Sequence, residues 1–220
     1  MPITYADIKH KLQPPLDCSK EGDLRGRSFH NRLIVNFKNT DFTGCVLHHC
    51  FPSGFAGAIE IRPAQSEEDV NLRGADLQGA NLYGTDLRRA NLQGANLQGA
   101  DLVETNLQGA NLYEADLRRA NLYGADLRRA NLYGADLRRA YIDACLEGAD
   151  LQWADLEGAN LQGAYLEGAN LEEANLESAE YNSETNFSGS NISQGQLDSM
   201  AFVEDEDDVE DEDDVEDEDD

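Results

Sequence analysis

Four residues of the types that bind zinc lie within one six-residue stretch near the start of the chain. Cys45, His48, His49 and Cys50 supply two thiols and two imidazoles, which are ligands of tetrahedral structural zinc sites. Such a site requires the four side chains to converge on one point. Whether they converge depends on the element that carries them, because an extended wall sends neighbouring side chains to opposite sides.

A second group of residues has the chemistry of a binding surface. Arginine pairs occur at Arg118-Arg119 and Arg138-Arg139, and Tyr113 and Tyr133 share their twenty-residue spacing. Arginine and aromatic side chains together are frequent anchors of protein interfaces. Each pair also follows an aspartate in the sequence, so the alternative is a solvated surface in which every arginine pair has a local counter-charge.

The sequence carries no combination of residues that predicts catalysis. There is no glycine-rich phosphate loop and no nucleophile with an identifiable base, which are the parts that a catalytic site needs. We therefore expect a protein without enzymatic activity and without a cofactor.

The element that positions these residues is a five-residue repeat between Val70 and Phe202, which reads alanine, aspartate or asparagine, leucine and two variable residues. Leucines five residues apart would wander around an α-helix and alternate sides along a strand, so neither element buries them. Within one unit, Ala75 and Leu77 share a side of an extended segment, and Asp76 points outward. Glycines such as Gly79 fall where the chain must bend. Repeated sides and bends predict a solenoid whose coils are joined by backbone hydrogen bonds.

This unit resembles that of the pentapeptide-repeat family, and the resemblance covers about 130 of the 220 residues. It implies an all-β fold, a right-handed four-sided β-helix with four units per coil. We count 27 units, which would make between six and seven coils. One residue is missing between Ile142 and Leu146 and one is extra between Tyr181 and Phe187. These frame slips predict a tightened corner at Asp143 and a small bulge at 183–184.

The repeat argues against the zinc site. Cys45 falls on an inward position, as Cys50 would, whereas His48 and His49 fall on an outward corner, so their side chains lie on opposite sides of one wall. We therefore expect no metal. A coil of four units places Arg118 beneath Arg138 and Tyr113 beneath Tyr133. The same register puts Trp153 near the top of the tyrosine column.

Composition divides the chain into four segments. Residues 1–22 are predicted to form an N-terminal helix and cap, 23–69 degenerate first repeats with a loop from residue 48, and 70–202 the solenoid. Residues 203–220 are three copies of VEDEDD, which we expect to be a disordered acidic tail.

Charge is divided as sharply as the segments. All 17 lysines and arginines lie at or before Arg139, whereas the 27 acidic residues after that point account for the net charge of −27. Glu147, Glu157 and Glu167 belong to the acidic part of the repeat region, and we group them with the candidate interaction surface. This balance argues against nucleic-acid binding and favours either a protein partner with a basic surface or no partner and good solubility.

Nothing in the sequence predicts secretion or membrane insertion. The four cysteines show no paired spacing, and we find neither a signal peptide nor an apolar stretch long enough to span a bilayer. We therefore expect a cytoplasmic protein with no membrane partner.

Two functions are compatible with this reading. The first is a non-catalytic interaction or scaffold protein that docks a partner on its flat faces or its acidic end. The second follows from the resemblance, because quinolone-resistance members of the family modulate type II topoisomerases with a negatively charged rod that mimics duplex DNA. Those proteins dimerise through a C-terminal apolar helix, whereas the repeats here are expected to run straight into the acidic tail.

Overall fold

The computed structural model describes residues 16–17, 34–35 and 71–204. Two short strands, β1 (Leu16–Asp17) and β2 (Ile34–Val35), pair in parallel. The coils of the solenoid follow from residue 71, and they include strand β3 (Glu180–Tyr181). Helix α1 (Gln194–Ser199) and strand β4 (Ala201–Phe202) come after the last coil, and β4 pairs in parallel with β3. The predicted N-terminal helix, the Cys45–Cys50 cluster, the 48–69 loop and residues 205–220 of the tail lie outside the described residues.

Parallel backbone bridges show that one coil contains twenty residues. Asn71 pairs with Asn91, Asn91 with Asn111, and Asn111 with Asn131. Three further series run alongside and begin at Asp76, Asn81 and Asp86. Residues 71–190 therefore form six four-sided coils, which stack about 4.8 Å apart because their backbones are hydrogen-bonded like neighbouring strands. The four-sided β-helix predicted from the repeat is confirmed.

Each of the four faces is defined by one column of inward side chains. Face 1 contains Leu72, Leu92, Leu112, Leu132, Leu151 and Leu171, and face 2 contains Leu77, Leu97, Leu117, Leu137, Leu156 and Leu176. Face 3 contains Leu82, Leu102, Leu122, Ile142 and Leu161, and face 4 contains Leu87, Leu107, Leu127, Leu146 and Leu166.

The interior is filled by these side chains and by the alanine of each unit. Leu92, Leu112 and Leu132 are completely buried, and the alanines beside them are buried as well. Burying one leucine contributes about 1.5–3 kcal/mol, so the stack is held by its core despite a mean hydropathy of −0.60. Thr85 and Thr105 take the place of alanine in two units, and both hydroxyls donate to the Leu82 carbonyl at 2.7 and 2.8 Å.

The corners between faces are tight turns with a left-handed second residue. The leucine carbonyl accepts a hydrogen bond from the alanine three residues later, as between Leu72 and Ala75 at 3.0 Å. The second corner residue has a φ near +60°, for example +62° at Gly79, as in a type II turn, which favours glycine there. Nine other residues adopt the same conformation, namely Arg89, Glu104, Glu114, Arg119, Arg129, Arg139, Trp153, Glu173 and Ser178.

The outward aspartate or asparagine of each unit completes the corner. Its side-chain oxygen accepts the backbone N–H two residues later, as from Tyr123 to Asn121 at 3.1 Å and from Arg118 to Asp116 at 3.1 Å. This arrangement is an Asx turn, which aspartate and asparagine make equally well. The sequence shows that the residue points outward, but its role in closing the corner emerges only from the structure.

The first frame slip is confirmed and the second lies elsewhere than predicted. Asp126 bridges Cys145, nineteen residues on, so the missing residue shortens the corner at Asp143. The extra residue lies at Glu180–Asn182, where Asn182 takes the inward position in place of Tyr181 and is 7 % exposed. Its Oδ1 accepts the Gly163 N–H at 3.0 Å. Residues 183–184 form an ordinary corner, so the predicted bulge there is wrong.

The last predicted units are replaced by a cap. Leu197 lies in α1, not in a repeat unit, and this helix begins with a capping box between Ser193 and Gln196. The Gln196 amide also donates to the carbonyls of Leu171 and Ala174 at 2.8 and 2.9 Å. The Gln196 side chain therefore supplies hydrogen bonds to two carbonyls of the last coil, in the place of a following coil. The expectation that repeats run straight into the acidic tail is wrong.

Candidate interaction surface

Face 2 is bordered by two corners that carry most of the candidate residues. The corner between faces 1 and 2, here called the aromatic edge, carries Tyr113, Glu114, Tyr133, Gly134, Gln152, Trp153, Glu172 and Glu173 in its third to sixth coils. The corner between faces 2 and 3, here called the charged edge, carries Arg118, Arg119, Arg138, Arg139, Glu157, Gly158, Glu177 and Ser178 in the same coils. The tyrosine and arginine columns therefore frame one flat face.

The aromatic edge contains a stacked pair of tyrosines. The rings of Tyr113 and Tyr133 are 5.4 Å apart and 6° from parallel, because corner residues of successive coils are separated by only the backbone spacing. A hydrogen bond with Glu114 and the charge of that carboxylate raise the pKa of Tyr113. Gln152 follows Tyr133 in this column. Trp153 lies one position further around the corner, with a φ of +59° and 58 % exposure.

The first arginine of each pair is held in a continuous ladder with aspartates. Arg118 contacts Asp116 at 2.5 Å and Asp136 at 3.5 Å, and Arg138 contacts Asp136 at 2.6 Å and Asp155 at 3.4 Å. Partial burial tends to raise the pKa of Asp136, but hydrogen bonds from Arg138 and the nearby charge of Arg118 outweigh it and lower that pKa. These two arginines are therefore ordered and neutralised within the chain.

The second arginine of each pair is available to a partner. Arg119 and Arg139 are exposed and form no ion pair with any described residue. The carboxylates of Glu157 and Glu177, one and two coils beyond Arg138, likewise form no ion pair in this part of the chain. Each arginine pair therefore has the local counter-charge that the alternative reading expects, but only the first arginine of the pair contacts it. Face 2 is positive along its middle coils and negative along its last two.

The three candidate glutamates do not share one surface. Glu157 lies on the charged edge, whereas Glu147 and Glu167 lie one coil apart on the corner between faces 4 and 1, diagonally across the rod. Arg128 lies one coil below Glu147 on that corner. A single flat partner therefore contacts either Glu157 or the other two.

An aromatic cluster beside the tightened corner was missed by sequence reasoning. The rings of Tyr123 and Tyr141 stack at 6.2 Å, and Tyr165 is 56 % exposed on the adjoining face. A shallow cavity of about 280 Å³ lies against Cys145 and Tyr165, and burial raises the pKa of Asp143 at its rim. The frame slip was the available signal, because a shortened corner breaks an otherwise flat wall.

Residues 16–17, 34–35 and 71–204 contain neither a candidate metal cluster nor a candidate membrane-spanning helix. In that part of the chain, no three histidine, cysteine or acidic side chains are grouped so that they could hold a metal ion. The one helix found there is too short and too polar to cross a bilayer.

Comparison with known proteins identifies similar sequences and folds. A family model described as pentapeptide repeats matches eight copies over residues 68–103, 105–141 and 144–180. One similar solved structure is the crystal structure of HetL, a pentapeptide repeat protein involved in heterocyst differentiation regulation from Nostoc sp. strain PCC 7120. Its sequence is 31 % identical to that of this chain. That match covers 76 % of this chain and 81 % of HetL, with a TM-score of 0.44.

A second solved structure is similar in fold. It is the trypsin-treated R167E form of QnrB1, a plasmid-mediated fluoroquinolone resistance protein. Its sequence is 17 % identical to that of this chain, and the TM-score is 0.59. The match covers 84 % of this chain and 90 % of QnrB1. A search of curated proteins found no match.

Proposed function

The chain belongs to the pentapeptide-repeat family of right-handed, four-sided β-helices, and we propose that it is a non-catalytic scaffold that binds a protein partner on face 2. One observation carries the proposal: this flat face is bordered on one side by stacked tyrosines and an exposed tryptophan, and on the other by arginines and glutamates that form no ion pair with any described residue. Tryptophan, tyrosine and arginine are the residue types that dominate binding energy at interfaces.

The surface is ordered before a partner arrives. Tyr113 and Tyr133 are fixed by stacking, and Arg118 and Arg138 by bidentate hydrogen bonds to their aspartates. Ordering a flexible side chain at an interface costs about 0.5–1.5 kcal/mol. That cost has already been met by the fold for these four residues, so contacts made with them contribute more fully to affinity.

The charge of face 2 describes the partner that fits it. Glu157, Glu177 and Asp155 present carboxylates on the last two coils, where no lysine or arginine occurs. A partner with a basic patch fits these coils, and an acidic group beside that patch fits Arg119 and Arg139. Complementary charge of this kind sets orientation and association rate more than affinity.

The same architecture supports a role without catalysis. The interior is packed with leucine and alanine from the first described coil to the last, which leaves no space for a substrate inside the rod. Binding of small substrates favours enclosed pockets with converging polar groups, whereas face 2 is an open surface suited to a macromolecule.

Capture of partners with edge-specific variants tests the proposal. We compare Arg119→Gly/Arg139→Gly with Arg89→Gly/Arg129→Gly, which changes the same residue type at the same left-handed corner position on the diagonally opposite corner. The first variant should lose the partner and the second should retain it, since both remove two charges and relieve the same backbone conformation. Trp153→Gly should weaken capture as well. Equal capture by both arginine variants, with unchanged circular-dichroism spectra, would refute a binding role for face 2.

A second candidate function, mimicry of duplex DNA, is supported by the placement of the acidic residues. Glu147 and Glu167 form one row on the last coils, and Glu157 and Glu177 form another on the diagonally opposite corner. The family resemblance attributes such mimicry in quinolone-resistance proteins to a rod with negative surface charge, and these two rows supply negative charge on opposite corners of a rod. Arginines on the middle coils restrict this surface to the C-terminal end.

Inhibition of a type II topoisomerase tests the second candidate. The wild-type chain should inhibit DNA supercoiling by gyrase, and the fourfold substitution of both rows by glutamine should abolish inhibition. Equal inhibition by Arg119→Gly/Arg139→Gly would show that the acidic rows act without the exposed arginines of the charged edge. An absence of inhibition by the wild-type chain at stoichiometric excess rules the mimicry out.

A further inference from the structure

We propose that the protein bound on face 2 is a second copy of this chain in antiparallel orientation, related by a two-fold axis between the coils of Arg138 and Glu157. This inference rests on the proposed function of face 2 and names its partner. A two-fold interface brings the same patch of both subunits together, so the patch must complement itself when its order is reversed.

The charged edge satisfies this requirement. Read along the rod it carries Arg118 with Arg119, then Arg138 with Arg139, then Glu157, then Glu177. Face-to-face antiparallel packing lays this edge against its own reverse. Glu157 of the second copy then faces the Arg138–Arg139 corner, where Arg139 is one position around the turn from it, and Glu177 faces the Arg118–Arg119 corner, where Arg119 has the same offset. Symmetry repeats both contacts, so four new ion pairs form across the interface.

The groups needed for these contacts are available in the described part of one chain. Arg119, Arg139, Glu157 and Glu177 take part in no ion pair among the described residues, although Arg118 and Arg138 are fully engaged with aspartates. The charged edge and the outward row of face 2 together carry four arginines and two aspartates in the two middle coils, and one aspartate and two glutamates in the next two. Opposite net charges therefore meet along the charged edge.

The aromatic edge is complementary under the same axis. Tyr133 and Gly134 lie in the coil before the axis, and Gln152 and Trp153 lie in the coil after it. Reversal places the exposed Trp153 of one copy against Gly134 and Tyr133 of the other. Glycine leaves space for the indole, and the tyrosine ring offers an aromatic partner. Two such contacts supply the apolar burial that ion pairs on a surface do not.

Some contacts oppose the pairing. Glu114 of one copy faces Glu172 and Glu173 of the other at the far end of the aromatic edge, and like charges there repel. The dimer is therefore expected to be concentration-dependent, and Glu114→Gln should strengthen it. The corner between faces 4 and 1 provides a contrast, because Arg129 would meet Glu147 but Glu167 would meet Gln108.

Sedimentation velocity with charge-exchanged variants tests the proposal. Arg119→Glu/Arg139→Glu makes the second corner position of the edge acidic, and Glu157→Arg/Glu177→Arg makes the last two coils basic. Each variant alone should be monomeric at concentrations where the wild-type chain is a dimer. An equimolar mixture should restore a dimer, because every exchanged residue then faces the opposite charge. Trp153→Ala should weaken the wild-type dimer without affecting the coils.

Matched exchanges on the diagonal corner serve as the control. Arg89→Glu/Arg129→Glu and Glu147→Arg/Glu167→Arg should dimerise like the wild-type chain, alone and mixed. A wild-type chain that stays monomeric at millimolar concentration overturns the inference, and so does a mixture that fails to associate while each variant keeps its circular-dichroism spectrum. If the chain is monomeric but Arg119→Gly/Arg139→Gly still loses another captured protein, the inference fails and the proposed function of face 2 stands.

Discussion

The coils before Ile142 and those after it have the same interior and different surfaces. On both sides leucine and alanine fill the core, and the bridges keep one register through the shortened corner. On the outside, the earlier coils carry both arginines and acidic residues. The charged residues of 140–204 are aspartates and glutamates, with no lysine or arginine. Inward positions therefore specify this fold, and outward positions are free to carry a surface pattern.

The Asx turn explains why the surface is so free. Each corner needs one side-chain oxygen from the outward residue, which either asparagine or the charged aspartate supplies. The first corner residue has no role in the core. Charge can therefore change from coil to coil without altering the backbone, which is how face 2 acquires a positive middle and a negative end.

The largest expected effect tests whether the two interiors are equivalent. Leu132→Ala and Leu151→Ala remove buried side chains of face 1 on either side of the axis proposed for the dimer. Each should lower the free energy of unfolding by about 2–5 kcal/mol, through lost burial and the cavity left behind. Urea denaturation followed by circular dichroism measures both. A loss at only one of the two positions would show that the interiors differ despite their common register.

The sequence was sufficient to predict the regular part of this architecture. The spacing of Ala75 and Leu77 identified the inward positions, and coils of four units brought Tyr113 onto Tyr133 as observed. The end of the solenoid could not be predicted, because Leu197 keeps the repeat spacing while the backbone turns into α1. Spacing alone does not say whether another coil follows to satisfy the last carbonyls.

The sequence also could not predict which arginine of each pair forms an ion pair with the preceding aspartate. Arg118 and Asp116 are two residues apart on one outward side, so their side chains meet. Arg119 occupies the left-handed position, with a φ of +58°, and it contacts no acidic residue in the described part of the chain. Adjacent residues of one type thus differ in role because they occupy different halves of a turn.

The next prediction contrasts the capped end with the middle of the rod. Gln196→Ala leaves the carbonyls of Leu171 and Ala174 without the amide that they accept from, and unpaired buried polar groups cost about 1–3 kcal/mol each. Hydrogen exchange should accelerate at Leu171 and Ala174 and remain unchanged at Leu112. The exposed Gln194→Ala in the same helix is the control. Uniform acceleration through all coils would mean that α1 stabilises the whole rod and not its end.

A smaller effect separates the corner function from the charge pattern. Asn121 and Asn160 accept corner N–H groups at 3.1 and 2.9 Å on the two sides of the frame slip. Alanine should destabilise both positions by about 0.5–1.5 kcal/mol, the net value of one hydrogen bond. Aspartate keeps the bond at both positions. It should cost less at Asn121, where Arg119 and Arg139 offset the neighbouring Asp101, than at Asn160, where the neighbouring Glu180 lies on coils without arginine.

Salt distinguishes these two contributions. The loss from Asn160→Asp should shrink in 1 M NaCl, because screening acts on exposed charges, whereas the loss from alanine at either position should persist. Denaturation midpoints at low and high salt provide the measurement. An aspartate penalty at Asn121 as large as that at Asn160 would contradict the difference between the two surfaces.

The smallest effect is a pair of opposite pH dependences. A hydrogen bond from Arg128 lowers the pKa of Asp126 below its ordinary value of 3.8, whereas burial raises the pKa of Asp143 above it. A lowered pKa adds stability that is present above pH 3.8 and disappears as the pH falls through the folded-state value. A raised pKa in an acid does the reverse, so ionised Asp143 destabilises the fold at neutral pH.

Asparagine substitutions should therefore act in opposite directions. Asp126→Asn should destabilise the chain at neutral pH, and its difference from wild type should vanish in acid below the folded-state pKa. Asp143→Asn should stabilise the chain at neutral pH, and that gain should fade as the pH falls to 3.8. The measurement is the free energy of unfolding of each variant and of the wild-type chain from pH 3 to pH 7. If both variants destabilise the chain equally at every pH, the two carboxylates have the same environment. The shortened corner at Asp143 would then not differ electrostatically from the regular coil at Asp126.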